Sequence, residues 1–100
     1  IRESESLHKI TAAVASTLGC DQRQIYESVR GRQNLARMLV AHFAHRSGQM
    51  AYREIAEALG MNHYSAVASS IRRLKILCQE NKPIRQLKKR IRQEIALNKI

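Results

Sequence analysis

Hydrophobic residues recur along this chain every three or four positions, and no window alternates apolar and polar residues as a strand does. The first apolar stripe consists of Leu7, Ile10, Val14 and Leu18. Gly19 follows at the place where a left-handed residue would end a helix, and Asp21 is a suitable N-cap for a short second helix around Ile25. The pattern therefore predicts an all-α fold.

Four more helices are predicted after a basic loop, Arg30-Gly31-Arg32-Gln33-Asn34. The segment from Leu35 to Arg46 carries apolar residues on several faces, so we expect a helix at the centre of the bundle. The next helix should bury Ile55, Ala56 and Leu59, and the one from about Tyr64 should bury Val67, Ile71, Leu74 and either Ile76 or Leu77. A last helix starts near Pro83 with the apolar stripe Ile84, Leu87, Ile91 and Ile95. The chain is predicted to form one compact bundle of about six helices.

The pair of helices at about 51–80 is the most informative part of the sequence. A short apolar helix, a turn containing Gly60 and a longer basic helix are typical of a helix-turn-helix. Such a motif presents its second helix to the major groove of DNA. The positions that this leaves for solvent or a ligand are Ser65, Ser69, Arg72, Arg73 and Lys75.

Length and composition restrict the class of protein. A chain of 100 residues with 44% hydrophobic residues can form a single domain with its own core, and this size excludes a multidomain enzyme. Cys20 and Cys78 lie far apart without metal-site spacing, so we expect two buried, reduced thiols. No signal peptide or membrane-length apolar run is present, which predicts a cytoplasmic location. Because the chain begins with Ile1 rather than Met, we expect it to be a domain of a longer protein.

Positive charge is concentrated in the second half of the chain. Residues 1–50 hold seven Lys or Arg against four Asp or Glu, whereas residues 51–100 hold eleven against four, within a net charge of +10. A basic excess attracts a polyanion, because each neutralised phosphate releases condensed cations. A generic solvated basic surface is the alternative. For the basic last helix, a phosphate contact and a solvated face both stay open.

The order of helix, basic loop, central helix and REIAEALGMNHYSAVASSIRRL resembles the C-terminal DNA-binding domain of the bacterial replication initiator DnaA. The resemblance covers about residues 6–95. Where the initiators have Gly-Arg-Asp-His-Thr-Thr-Val, this chain has Met61-Asn62-His63-Tyr64-Ser65-Ala66-Val67. The His-Tyr-Ser-x-Val form is also similar to the initiator-like domain appended to some REP-associated tyrosine transposases. The resemblance implies a bacterial DNA-binding module that associates with the nucleoid when bound.

The resemblance also implies roles for individual residues. Asn62, His63, Tyr64 and Ser65 would face bases in the major groove, and Arg30 or Arg32, followed by Gln33, would contact the adjacent minor groove. Tyr52 and Arg53 match positions that touch the backbone and a thymine methyl. The acidic residue of the initiator motif is His63 here, its following His is Tyr64, and its second Thr is Ala66. The initiator's own DNA box is therefore not the expected target.

The residue types at the turn suit base reading independently of any family. An Asn62 amide can pair with adenine, His63 and Ser65 can donate or accept, and Tyr64 can contact a thymine methyl or sugar. Simpler interpretations remain for three of them: Asn62 as a helix N-cap, His63 as an exposed turn residue and Tyr64 as a half-buried core aromatic. Arg72 and Arg73, two turns further along, are expected to contact phosphates and to position the helix.

Catalysis is not expected from this chain. His42 and His45 have a spacing that a metal site permits, but no carboxylate or cysteine joins them in sequence. They also have one residue more between them than the His-hydrophobic-His triplet of tyrosine-class nucleases. The Gly-x-x-x-x-Gly-Lys-Ser/Thr motif of ATPases is absent. We therefore expect no metal, cofactor or small-molecule substrate, although an upstream domain could be an ATPase or a nuclease.

Two other binding functions compete with recognition of double-stranded DNA. A helical module that docks a partner protein would leave apolar residues of the first or last helix exposed. A module for structured or single-stranded nucleic acid would need aromatic side chains for base stacking, and the sequence has only Phe43 and three Tyr. The oligomeric state stays open.

Overall fold

The computed structural model describes residues 7–26 and 34–97. These two ranges contain six α-helices and no strand. The helices are α1 (Leu7–Leu18), α2 (Arg23–Tyr26), α3 (Leu35–Arg46), α4 (Tyr52–Ala58), α5 (Tyr64–Glu80) and α6 (Lys82–Leu97). The predicted all-α bundle of about six helices is confirmed.

Two glycines end helices by the same backbone geometry. Gly19 adopts φ +67°, and the Cys20 N–H donates to the Ala15 carbonyl at 3.0 Å. Gly60 adopts φ +68° after α4, with the equivalent hydrogen bond from the following residue. This left-handed conformation is costly for a side chain with Cβ but free for glycine. The two breaks predicted from Gly19 and Gly60 are therefore confirmed.

The short helix α2 begins as the sequence predicts. The Asp21 carboxylate accepts from the Arg23 N–H at 2.9 Å, and the Gln24 side chain accepts from the Asp21 N–H at 3.1 Å. This reciprocal arrangement satisfies two N–H groups that have no partner inside the helix. Ile25 is fully buried, so α2 is fixed to the bundle by one apolar side chain.

The helix α3 lies at the centre, because it packs against α1, α2, α4 and α5. Its residues Leu39, Val40 and Ala41 are fully buried. Apolar positions elsewhere join the same core, and complete burial of one Leu or Ile contributes about 1.5–3 kcal/mol. The predicted core residues that are buried outside α3 include Ile10, Val14, Ile55, Ala56, Leu59, Val67, Leu74, Ile91 and Ile95.

A few predicted core positions are less buried than the sequence suggested. Ile71 and Leu77 pack on the core while partly exposed. Ile76 is 47% exposed, so Leu77 rather than Ile76 is the residue of this pair that packs on the core. Cys78 is buried, but Cys20 is only half-buried, so the prediction of two buried thiols is wrong for Cys20. Cys20 follows the turn at Gly19, where the chain leaves the core.

Candidate nucleic-acid interface

The N-terminal end of α5 carries four consecutive exposed residues, Asn62 to Ser65. His63 is the N-cap, with an extended backbone (φ −151°, ψ 144°). Its Nδ1 accepts from the Ser65 N–H at 3.4 Å and lies 3.0 Å from Ser65 Oγ. The alternative that Asn62 caps the helix is therefore wrong. An imidazole nitrogen replaces the usual Asn, Asp or Ser oxygen as the cap acceptor.

Capping leaves His63 with a defined outer edge. A backbone N–H can only donate, so the tautomer that fits this cap has its hydrogen on Nε2. His63 therefore presents an N–H donor on the edge that the cap does not use. Because Nδ1 also contacts the Ser65 hydroxyl, the ring orientation is held by two neighbouring groups.

Tyr64 extends the exposed surface at this end of α5. Its side chain is 53% exposed, and its ring stacks on the His63 ring at a centroid distance of 4.9 Å and an interplanar angle of 27°. The alternative of a half-buried core aromatic is wrong. The Asn62 amide makes no hydrogen bond with any residue that the structure describes, so its donors and acceptor are available.

The outer face of α5 continues from the turn. Ser69, Arg72 and Arg73 are exposed, as predicted. Val67 and Leu74 lie on the opposite face and are fully buried, which fixes the rotation of the helix about its axis. Ile76 lies seven residues after Ser69 and is therefore on the same outer face. The sequence analysis gave Ile76 as one of two possible core positions, although its heptad spacing from Ser69 indicates the outer face.

At the start of α4, Arg53 and Tyr52 differ in accessibility. Arg53 is exposed, whereas Tyr52 is half-buried with its ring 4.7 Å from the His45 ring. The Glu54 carboxylate accepts from the Ala51 N–H at 2.8 Å and so satisfies an N–H at the helix start. Arg53 is the freer of the two residues for a ligand, while Tyr52 closes the junction between α3 and α4.

The predicted loop residues Arg30, Arg32 and Gln33 lie outside the described residues. The residues that flank residues 27–33 are nevertheless placed. The Asn34 amide donates to the Gln24 carbonyl at 2.8 Å, and Asn34 Oδ1 accepts from the Arg37 N–H at 3.0 Å. Asn34, which follows the basic segment of residues 27–33, is therefore bonded to the C-terminal end of α2, which precedes it.

Arg37 connects these loop ends to the α4–α5 turn. Its Nε donates to the Ile25 carbonyl at 3.1 Å, and its Nη2 donates to the carbonyls of Tyr26 at 2.8 Å and Leu59 at 3.1 Å. One guanidinium nitrogen thus bonds both the residue before the loop and the residue before Gly60. The C-terminal end of α2, which precedes the basic segment, and the C-terminal end of α4 are consequently neighbours.

Lysines and arginines outnumber glutamates on α4, α5 and α6, and none of these cations forms an ion pair with a described residue. An ion pair joins Arg23 and Asp21 at 3.4 Å, between two exposed side chains outside these helices. Arginines and lysines of the last three helices form none. A polyanionic partner would supply the missing counter-charge.

The histidine pair on α3 does not form a metal site with its described neighbours. His45 Nδ1 lies 3.1 Å from the Met50 carbonyl, and the described residues hold no group of three His, Cys, Asp or Glu side chains that suits a metal ion. Burial and, after it, the nearby charges of Lys88 and Arg46 together lower the pKa of His42 to about 4. His42 is therefore neutral at pH 7.

Comparison with known proteins adds no family. No protein-family model matches this chain, and a search of curated proteins gives no match. Among residues 7–26 and 34–97, no helix has the length and apolar character needed to cross a membrane.

Proposed function

We propose that this chain is a sequence-preferring double-stranded DNA-binding module. The N-terminal end of α5 reads bases in the major groove, and the basic segment at residues 27–33 contacts the adjacent minor groove. One observation carries the proposal: Asn62 to Ser65 are all exposed at the tip of a helix whose opposite face is anchored by Val67 and Leu74. The resemblance to the DnaA DNA-binding domain supports the same docking mode, with α4 and α5 forming the helix-turn-helix.

The chemistry of each exposed group suits this arrangement. The Asn62 amide can make two hydrogen bonds to adenine, and the His63 Nε2–H can donate to guanine O6 or N7. With a rise of about 1.5 Å per residue, Arg72 lies about 12 Å along the axis from Tyr64. That distance is similar to the width of the major groove, about 12 Å, so Arg72 would meet phosphates at its edge.

The competing binding functions receive less support from the described residues. The stripes of α1 and α6 are directed into the core, with Ile10, Val14, Ile91 and Ile95 buried. This argues against an apolar docking face on either helix. The two exposed tyrosines lie on different helices, Tyr26 on α2 and Tyr64 on α5. They do not make a continuous stacking platform for single strands.

The proposal is tested by selecting duplexes from a random DNA library and measuring affinity against salt concentration. We expect an enriched sequence motif and a steep fall in affinity with salt. Asn62→Ala should relax preference at one position at a cost of about 1–3 kcal/mol, whereas Arg72→Gln should weaken all sites alike. Arg90→Gln, which removes an equal charge from the exposed surface of α6, is the matched control.

Three results would contradict the proposal. They are a flat salt response, a selection without sequence enrichment, and an Arg72→Gln variant no weaker than Arg90→Gln. Competition between a hairpin, a single strand and a duplex of the selected sequence completes the test. If the hairpin or the single strand competes better than the duplex, that form rather than the duplex is the ligand.

A further inference from the structure

Two lysines on neighbouring helices line a common groove between α5 and α6. A cavity of about 270 Å³ lies on one side of Lys75 and Lys88, and α3 contributes His42, His45 and Arg46 to its wall. The lining thus brings three permanent cations and two imidazoles together from three helices.

A second, more open cavity of about 520 Å³ shares the same two lysines. Its wall adds Cys78, Gln79 and Arg85. The Arg85 side chain is held in place, because its Nε donates to the Cys78 carbonyl at 3.0 Å. Lys75 and Lys88 therefore stand between two sites, each of which offers a further arginine.

The groove contains no counter-charge of its own. No Asp or Glu lines either cavity, and none of its cations forms an ion pair with the residues that the structure describes. Ile71 and Leu74 supply the apolar part of the lining of the smaller cavity. Cations placed together without a carboxylate repel one another, so an anion that enters gains attraction from all of them.

The state of His42 reports the positive field in this groove. Burial lowers its pKa, and positive charge acts in the same direction from Lys88 and Arg92 on α6 and from Arg46 and His45 on α3. Lys75 of α5 lines the same cavity. A histidine kept neutral can donate or accept a hydrogen bond without adding to the repulsion.

We propose that the groove between α5 and α6 is a binding site for a phosphate-bearing ligand. Lys75 and Lys88 bind one phosphate group at its centre, and Arg46 or Arg85 binds a second group on either side. Arginine and lysine are the residues that bind phosphate oxygens most strongly in proteins. The phosphate can belong to a small molecule or to the DNA backbone, and the experiment separates these sources.

Pyrophosphate is the probe, added to the whole chain at constant ionic strength while the histidine rings are followed by NMR. We expect saturable shifts of the His42 and His45 ring signals and a rise in the measured pKa of His42, because a bound anion offsets the neighbouring cations. The double variant Lys75→Gln, Lys88→Gln should bind at least about tenfold more weakly.

The matched control is the double variant Lys89→Gln, Arg90→Gln, which removes the same charge from exposed positions on α6 outside the groove. It should keep its affinity within about twofold. Shifts that chloride reproduces, or an equal loss of affinity in both double variants, would overturn the proposal. Removing mutual repulsion should leave the Lys75 and Lys88 variant folded, which its thermal unfolding curve verifies.

The source of the phosphate follows from adding duplex DNA to the pyrophosphate complex. Displacement of pyrophosphate by DNA assigns the groove to the DNA backbone, and simultaneous binding of both assigns it to a small phosphorylated molecule. Either result supports the site. Because the first titration contains no DNA, it succeeds or fails independently of the proposed DNA-binding function.

Discussion

Arg37 offers the most decisive test of how the fold positions the proposed interface. Its guanidinium donates three hydrogen bonds to carbonyls of Ile25, Tyr26 and Leu59, which belong to two helix ends and are separated from it by up to 22 residues. Arg37→Met keeps the aliphatic stem and removes all three donors. The carbonyls then face a methyl group unless water replaces the guanidinium.

The expected loss in the free energy of unfolding follows from the number of these hydrogen bonds and from their exposure to solvent. A hydrogen bond from a charged donor contributes about 1.5–3 kcal/mol, and partial exposure reduces each to about 1 kcal/mol. Three bonds give an expected loss of about 3 kcal/mol in the free energy of unfolding. For a chain of this length, that loss lowers the melting temperature by about 12–24 °C.

Urea unfolding followed by circular dichroism measures this loss through the transition midpoint. The control is Arg23→Met, because Arg23 forms one exposed ion pair with Asp21 and should contribute less than about 1 kcal/mol. Equal stabilities of the two variants would refute the bridging role of Arg37. Under conditions in which Arg37→Met stays folded, this variant should also bind DNA more weakly. The variant lacks the hydrogen bonds that tie Tyr26, before the basic segment, to Leu59, before the α4–α5 turn.

Three further predictions concern stability and reactivity. The pKa of His42, about 4 against 6.5 in the unfolded chain, lets the unfolded state bind a proton first. The free energy of unfolding should therefore fall as pH drops from about 6.5 to 4 and then level off. Solvent screening limits the total loss to about 1–2 kcal/mol. In urea unfolding at a series of pH values, His42→Gln should remove most of this dependence. Gly60→Ala should lower the free energy of unfolding by about 1–2 kcal/mol, because alanine is strained at positive φ. No steric clash adds to this loss, since the new Cβ would meet no atom within 4 Å. An unchanged urea midpoint would contradict this prediction. Iodoacetamide should modify Cys20 before Cys78, as peptide mass mapping would show, because Cys78 is the buried thiol.

Local chemistry made most of the fold predictable from the sequence. Gly19 and Gly60 mark helix ends because few other residues adopt positive φ, and the span of α3 follows from its apolar residues. The predicted start of α5 at about Tyr64 is confirmed, but the alternative of Asn62 as its cap is wrong, because Asn62 is the better cap by propensity while the structure uses His63 Nδ1. Propensity describes single residues, whereas this cap depends on the pairing of His63 with Ser65.

Tertiary arrangements were beyond reach of the sequence for a different reason. The partners of Arg37 are backbone carbonyls, which carry no residue-specific signal. The meeting of Lys75 and Lys88 depends on the packing angle of α5 against α6, and periodicity places each lysine only on its own helix. The sequence predicted that residues at the N-terminal end of α5 would be exposed. For Tyr64 it left an exposed and a half-buried side chain open, and the structure shows the exposed one.

The departures from the initiator motif acquire a chemical meaning once the cap is known. The initiators have an acidic residue where this chain has His63, and a carboxylate can only accept hydrogen bonds. His63 caps α5 through Nδ1 and presents an Nε2–H donor on its outer edge. Under the proposed docking mode, the base edge facing this position changes from a donor, such as the cytosine amino group, to an acceptor such as guanine O6 or N7. We therefore infer that, under the proposed docking mode, α5 would still read DNA but would prefer a different base at this position.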